Sequence, residues 1–449
     1  MKRFWRLHRL HYRDTMRLSI PVMVAQLGQI TVALADNMMI GRLGATELAA
    51  AAFANMLVSL PLYFGMGFAL AITPLIGRAY GAGDTGTIGA HLRTGLRTYL
   101  LVGVALLLVS SVLYLFMPSM NQPDTILGIS QSYYKYVAIS MLPLMIFMLG
   151  KQVCEGLADT KTAMKVTITA NLINITGNYL LIYGKFGFPA LGVDGGGIAT
   201  LIARIFMAVA ILFMVFRKPI IKEALRQSRL LKVRLTGIVD LVKLGSPMGV
   251  QVFSEASAFI FAGIMMGWLG ETGLAAHQIV ISLSGLGFML YQAVGMSTTI
   301  RVSQLSALEA PSLIKRASVA STQIVLLMVL VVSSLFLLFK NQIPYLFTGN
   351  DEVAFLASRL IVVFVVFQLF DAAQIVFAGI LRGLADAKIP GALTFVSYYI
   401  IAIPVSFFAA FRMGFGEVGI WYGFPVGLGV CSLLFFFRIR QLIGRLVLA

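Results

Sequence analysis

The sequence predicts an all-α polytopic membrane protein, with twelve transmembrane helices in two six-helix lobes that form a parallel, duplicated repeat. Three observations predict it. Of 449 residues, 59% are apolar and 12% charged, about half the charged share of a soluble domain, and mean hydropathy is +0.90. A water-soluble fold with so little charge could not cover its own surface. Apolar stretches of about 20 residues, the length a helix needs to cross a bilayer, recur along the chain. The second half of the sequence also repeats the first.

In the first half the stretches fall at roughly 16–40, 48–77, 95–117, 131–150, 163–184 and 195–216. In the second they fall at roughly 240–267, 274–300, 318–340, 355–381, 389–411 and 416–437. The first is too long for a cleavable signal and carries Asp36. The third, with Leu106-Leu107-Leu108-Val109, and the tenth, with Ile361 to Val366, are apolar on every face. That excludes the polar–apolar alternation of a β-barrel. The fifth places Asn171, Asn174 and Asn178 on one face, and the sixth holds Thr200 and Arg204. The seventh holds Gln251 and Glu255, the eighth opens on His277 and Gln278, and the tenth holds Phe367 and Asp371. Pro21, Pro143, Pro247 and Pro404 lie inside spans and mark bends.

The net charge of +17 is a topology signal. With the N-terminus inside, 28 of the 35 Lys and Arg fall on inner segments, against Arg42, Lys185, Lys340, Arg359 and Arg412 on the outer side. This bias puts both termini in the cytoplasm of an inner membrane, with anionic headgroups accounting for the basic excess. A nucleic-acid partner is not expected, because that requires the basic residues on one face of a soluble module. Four His and two distant Cys, Cys154 and Cys431, give no metal-ligand cluster and no disulfide framework. No Walker motif, nucleophile elbow or HExxH appears, so ATP-driven pumping and hydrolysis lack support, and no enzyme or cofactor is expected.

A shift of 226 lays Pro21 on Pro247 and the run Met39 to Ala50 on Met265 to Ala276. A shift of 227 lays Gly156-Leu157-Ala158-Asp159-Thr160-Lys161 on Gly383-Leu384-Ala385-Asp386-Ala387-Lys388, Gly187 on Gly414 and Gly192 on Gly419. The expected organisation is a lobe at 1–220, a basic cytoplasmic linker at 221–236 and a lobe at 237–449. Six spans per half make the halves parallel repeats, an arrangement common in transporters that rock two lobes around a central site.

Of eighteen acids, three lie inside spans: Asp36, Glu255 and Asp371. A carboxylate in hydrocarbon is costly, so such residues are rare unless they serve a pathway. Gln26, Gln29 and Asp36 share a face of the first helix and sit at the depth of the Asn face of the fifth and of Thr200. Glu255 and Asp371 both sit near mid-span. Two carboxylates facing one cavity can hold a monovalent cation or share a proton. The acids do not repeat: Asp36 aligns with Ala262, Glu255 with Gln29 and Asp371 with Leu144. Arg204 either snorkels or pairs with Asp36.

These residues resemble the multidrug and toxic compound extrusion (MATE) family. The resemblance rests on Pro21 to Gly44 with Ala35-Asp36-Asn37, the paired Gly-Leu-Ala-Asp-x-Lys loops, the pair Asn174 and Asn178, and Ser254 to Phe259. The acids in both halves are similar to its NorM-type branch. The resemblance implies a monomeric antiporter that exports cationic amphipathic drugs by alternating access, in exchange for Na⁺ or H⁺. It carries one cation site onto Asp36, Asn174, Asn178 and Thr200, and another onto Glu255 and Asp371, where Na⁺ is favoured. Gln26, Gln29, Gln251, Gln278 and Phe367 are candidates for the substrate cavity. Some relatives have Tyr where this chain has Phe367, which keeps the ring face and loses the hydroxyl. Two alternatives stand beside this: a lipid-linked oligosaccharide flippase of the same superfamily, and a channel or membrane enzyme.

Overall fold

The computed structural model describes residues 2–228 and 235–448. All regular structure among the described residues is helical. The first half runs α1 (Lys2–Gly41), α2 (Ala45–Ala69), α3 (Ile72–Gly81), α4 (Thr85–Phe116), α5 (Asp124–Ile139), α6 (Met141–Gly156), α7 (Thr160–Tyr183) and α8 (Val193–Arg217), followed by a short α9 (Pro219–Gln227). The second half runs α10 (Leu235–Leu269), α11 (Glu271–Ser306), α12 (Pro311–Leu338), α13 (Asp351–Gly383), α14 (Lys388–Phe395), α15 (Ile403–Phe407) and α16 (Gly416–Leu448).

Among the described residues, eleven helical stretches are long and apolar enough to cross a membrane. The twelfth expected span is α7, 24 residues long, whose Asn face and two lysines make it the more polar one. Two spans are each built from two helices. The second breaks between α2 and α3, and the fourth breaks at Ser140 between α5 and α6. Both breaks precede a proline. Pro74 frees the carbonyl of Leu70, and Pro143 that of Ile139, because a proline ring displaces the carbonyl four residues back. Around Pro404 the eleventh span loosens into π-helical stretches at Val396–Ala402 and Phe408–Arg412.

The duplication extends to the backbone. Ala158 and Ala385 both adopt φ 59°, in the left-handed region. In each loop the chain turns back on the helix it leaves: Asp159 N donates to Cys154 O (2.8 Å) and Asp386 N to Leu381 O (2.9 Å). Asp159 then caps α7 by accepting from Thr162 N (3.1 Å) and pairs with Lys218, while Asp386 accepts from Arg438 Nε (2.7 Å). One expected match is corrected. Gly192 and Gly416 share φ 56° and open α8 and α16, so Gly192 matches Gly416 and not Gly419. Gly195 and Gly419 instead press on the backbone of the preceding helix in each half. The second loop is three residues shorter, which changes the shift there to 224.

Packing divides the chain into two compact units, Pro21–Gly249 and Met1–Ile20 with Val250–Ala449. The divisions fall inside α1 and α10, beside Pro21 and Pro247. In the unit containing Val250–Ala449, the start of α1 docks on α11. Arg301 donates to His11 O (2.6 Å) and Thr15 Oγ1 (3.0 Å), and the hydroxyls of Ser19 and Ser297 are 2.6 Å apart. Glycine permits the closest helix approach there: a Cβ on Gly379 would stand 2.4 Å from Gly295 O. In the unit Pro21–Gly249, the start of α10 lies on α2, where a Cβ on Gly67 would stand 2.4 Å from Met248 O.

The expected linker at 221–236 is structured at its start. Ile221 and Ala224 of α9 are buried, and Arg93 of α4 donates to Leu225 O (3.0 Å) and Ser228 O (2.6 Å). A cation at a helix C-terminus satisfies carbonyls the helix leaves open. Residues 229–234 of the linker lie outside the described residues.

Replacing Ala158 or Ala385 by Gly relieves a left-handed residue and is expected to stabilise the fold by about 1 kcal/mol each, less a few tenths for chain entropy. Thermal unfolding in detergent checks this, and a fall in Tm for both would contradict it. Burial pushes the Asp159 carboxyl up, but the hydrogen bonds from Lys218 and Thr162 outweigh it and hold the group below the usual range. Its contribution is therefore present above an unfolded pKa of about 3.9 and lost as pH falls through the lower folded value. Asp159→Asn should lower Tm at neutral pH and converge with the parent in acid.

Candidate cation sites

In the unit Pro21–Gly249, α1, α7 and α8 carry a chain of polar groups through apolar surroundings. Asp36 Oδ1 accepts from Asn178 Nδ2. The same amide lies 3.4 Å from Asn174 Oδ1, Asn174 Nδ2 is 3.3 Å from Thr200 Oγ1, and Thr200 donates to Gly196 O (3.0 Å). The spacing of four between Asn174 and Asn178 puts both on one face of α7, and both are buried. The four expected residues thus form one connected set. Among the described residues Asn178 Oδ1 is buried without a partner, as is Asn171 Nδ2, which leans on Gly28 of α1. A cation beside Asp36 would find the Asn178 amide at hand, and turning an amide presents its oxygen.

Arg204 takes neither expected course alone. Its Nη1 donates to Ser140 Oγ (2.8 Å), and no ion pair joins it to Asp36 among the described residues. It acts on Asp36 through the field only. Gln26 and Gln29 are half-buried on α1 and make no side-chain hydrogen bond among the described residues.

In the unit containing Val250–Ala449, Glu255 of α10 is held by two amides. Its Oε1 accepts from Gln251 Nε2 (3.1 Å) and Gln374 Nε2 (2.9 Å), and Tyr398 OH is 3.4 Å from Gln374 Oε1. Gln374 is one turn beyond Asp371 on α13, so it ties the two acids into one neighbourhood. Asp371 is buried, accepts no hydrogen bond among the described residues, and feels the charge of Glu255. Arg382, also buried, acts on Glu255. No three His, Cys, Asp or Glu side chains gather as a metal centre among the described residues. Two carboxylates with amide oxygens suit a hard monovalent cation better than a transition metal.

The other candidates lie elsewhere. Phe367 is 1% exposed, with ring centroids of Phe259, Phe364, Trp421 and Phe424 at 5.8–6.0 Å. It is packed on all sides by aromatic rings. Gln278 is exposed on α11, and its neighbour His277 accepts from Trp421 Nε1 (3.2 Å), a satisfied histidine.

Sequence reading missed three buried groups. Tyr291 OH and Gln368 Nε2 are buried around Gly287 without partners among the described residues. Glu155, read as a helix-end acid, is 1% exposed with neither oxygen hydrogen-bonded. A signal for it existed, because the 227 shift lays Glu155 on Arg382, a charge reversal at one repeated position.

The sequence model of the MatE family matches residues 21–180 and 247–408, two matches starting 226 residues apart. The chain belongs to the MatE family. It is 31% identical over 443 residues to the probable multidrug resistance protein NorM of Rhizobium meliloti, covering 97% of this chain and 94% of that one. It is 30% identical over 440 residues to the multidrug resistance protein MdtK of Yersinia pestis, covering 96% and 95%. Solved structures of a eukaryotic MATE transporter (TM-score 0.85, 19% identity, 98% and 99% covered) and of an outward-facing multidrug resistance MATE transporter (0.87, 19%, 98% and 97%) share the fold. In MatE terms, the duplicated halves are one family module matched twice; Asp36, Asn174 and Asn178 lie inside the first match and Glu255 and Asp371 inside the second, while Thr200 lies beyond the first.

Gln374→Leu leaves Glu255 with one amide donor and is expected to cost about 1.5–3 kcal/mol, the range for hydrogen bonds to charged groups. An unchanged Tm in detergent would mean that the bond carries no stability.

Proposed function

We propose that this MatE chain is an inner-membrane multidrug exporter. It would expel cationic amphipathic compounds by alternating access, in exchange for a monovalent cation, Na⁺ before H⁺. One observation carries the reading: Asp36 in one unit and Glu255 in the other are held by neutral amides and not locked to a base. Asn178 serves Asp36, and Gln251 and Gln374 serve Glu255. A carboxylate held this way stays available to a cation that arrives and leaves. The relatives' names support the drug reading, and the charge bias supports cytoplasmic termini.

On this reading the repeats at 1–220 and 237–449, joined by the linker at 221–236, are the two lobes. One ion site is Asp36, Asn174, Asn178 and Thr200, and the other is Glu255 and Asp371. Gln26, Gln29, Gln251, Gln278 and Phe367 border or support the drug's path. The chain works as a monomer without cofactor. Drug and ion compete, because both seek the few carboxylates in a medium of low dielectric. One ion entering down about 100 mV supplies roughly 2.3 kcal/mol, enough for about a 50-fold gradient of a neutral drug. A monovalent drug cation exchanged one for one draws only on the ion gradient.

Asp36→Asn, Glu255→Gln and Asp371→Asn should each abolish uphill efflux from proteoliposomes at normal expression, while Arg204→Gln should retain it. Efflux should follow an imposed Na⁺ gradient, and drug affinity should fall as Na⁺ rises. Efflux driven fully by a pH gradient with no response to Na⁺ would assign the coupling to protons. Wild-type efflux in all three acid variants would sink the reading.

A further inference from the structure

Glu155 stands apart from both cation sites. It lies in the last turn of α6, is 1% exposed, and has both carboxylate oxygens buried without a hydrogen bond among the described residues. Native chains rarely leave a buried acid in that state, because the ionised form gives up its water and receives nothing in return. The surroundings offer little compensation. Lys151, one turn earlier on the same helix, brings Nζ to 3.9 Å of Oε1, beyond hydrogen-bond range. Gln152 is already engaged, with its Oε1 accepting from Thr73 of α3 (2.6 Å).

The other charged groups near this end of α6 are committed or turned away. Asp159 in the following loop and Lys218 at the end of α8 hold each other. Arg93 of α4 is spent on the carbonyls of Leu225 and Ser228. Arg78 of α3, and Lys161 and Lys165 of α7, are exposed. Cys154, beside Glu155, is a buried thiol. Lys151 is the charged group that acts on the carboxyl.

The repeat adds an independent observation. Glu155 and Arg382 occupy matching positions, each four residues before a loop aspartate that is held by a base. In one unit this position carries a permanent positive charge that acts on Glu255. In the other it carries a group whose charge can be switched off by a proton.

We propose that Glu155 is a proton-binding site separate from Asp36 and from the Glu255–Asp371 pair. It holds one proton in the conformation seen here and exchanges it at the membrane face where α6 ends, the face that the charge bias assigns to the cytoplasm. The carboxylic acid needs only weak partners in its dry position. Wetting of that end of α6 releases the proton and leaves a carboxylate. The protein thereby gains a response to pH on that face whatever ion drives transport.

The test is infrared difference spectroscopy of the purified full-length protein in lipid nanodiscs, titrated with pH in H₂O and D₂O. A deuterium-sensitive carboxylic-acid carbonyl band should be present at neutral pH and bleach as pH rises. Glu155→Gln should remove it. Lys151→Met should retain it, and so should Glu255→Gln, which removes the half-buried glutamate of the pair. ¹³C-glutamate labelling of the parent assigns the band to glutamate without any substitution, should Glu155→Gln fold poorly. Identical parent and Glu155→Gln spectra would overturn the proposal. So would a band that appears only when Lys151 is removed, since Glu155 would then be that lysine's ionised partner. The measurement needs no transport, so it can fail while drug–ion exchange stands, and the reverse.

Discussion

A bilayer offers no hydrogen bonds, so a polar group within a span is costly unless the chain itself satisfies it. The rest of the structure follows from how the buried acids meet that demand. Asp36 and Glu255 are served by asparagine and glutamine. An arginine in those places would satisfy a carboxylate more strongly, but it would also fix it as an ion pair. Amides give enough to keep the acid folded inside and too little to neutralise it. On the proposed reading, the remaining demand for positive charge is the physical basis for exchange. Arg204 fits the same logic, because its guanidinium is anchored on the hydroxyl of Ser140 and leaves Asp36 to its amides.

Duplication preserved the backbone devices and let the side-chain chemistry diverge. The left-handed alanines at 158 and 385, and the aspartates held by Lys218 and Arg438, recur because each half must end a helix and reverse the chain in the same way. The acids carry no such geometric duty, and none has a matching acid in the other half. The shorter loop before α16 shows the same freedom. It lost three residues, yet Gly416 and Gly419 keep the conformations and contacts of Gly192 and Gly195.

The helices were legible because an apolar run of membrane length has few stable settings besides a bilayer. Their ends were less so. Several helices continue beyond the apolar run, as α4 does from Thr85 and α11 to Ser306, because backbone pairing does not stop where hydropathy falls. The breaks before Pro74 and Pro143 leave hydropathy unchanged and are visible only in the prolines. The connected set of Asp36, Asn178, Asn174 and Thr200 was legible from helical spacing. Phe367 was not, since its surroundings come from α10 and α16, far away in sequence. Glu155 follows the last apolar residues of its span, so it reads as a surface acid until packing around α6 is known.

The two ion sites differ in charge, and this bears on which ion each can hold. Around Asp36 one carboxylate faces the field of one guanidinium, a formal balance of zero. Around Glu255 and Asp371 there are two carboxylates, and Arg382 acts on Glu255, a formal balance of one negative charge. A proton can bind a neutral neighbourhood, because it joins an oxygen covalently and removes the charge it meets. A metal cation keeps its charge and needs a standing negative field. On the proposed reading the excess favours Na⁺ at the pair, where turning either glutamine amide would add an oxygen, and leaves Asp36 the better place for a proton. Inequivalent acids in equivalent scaffolds have a reason on that reading: they would let one fold hold ions of two kinds.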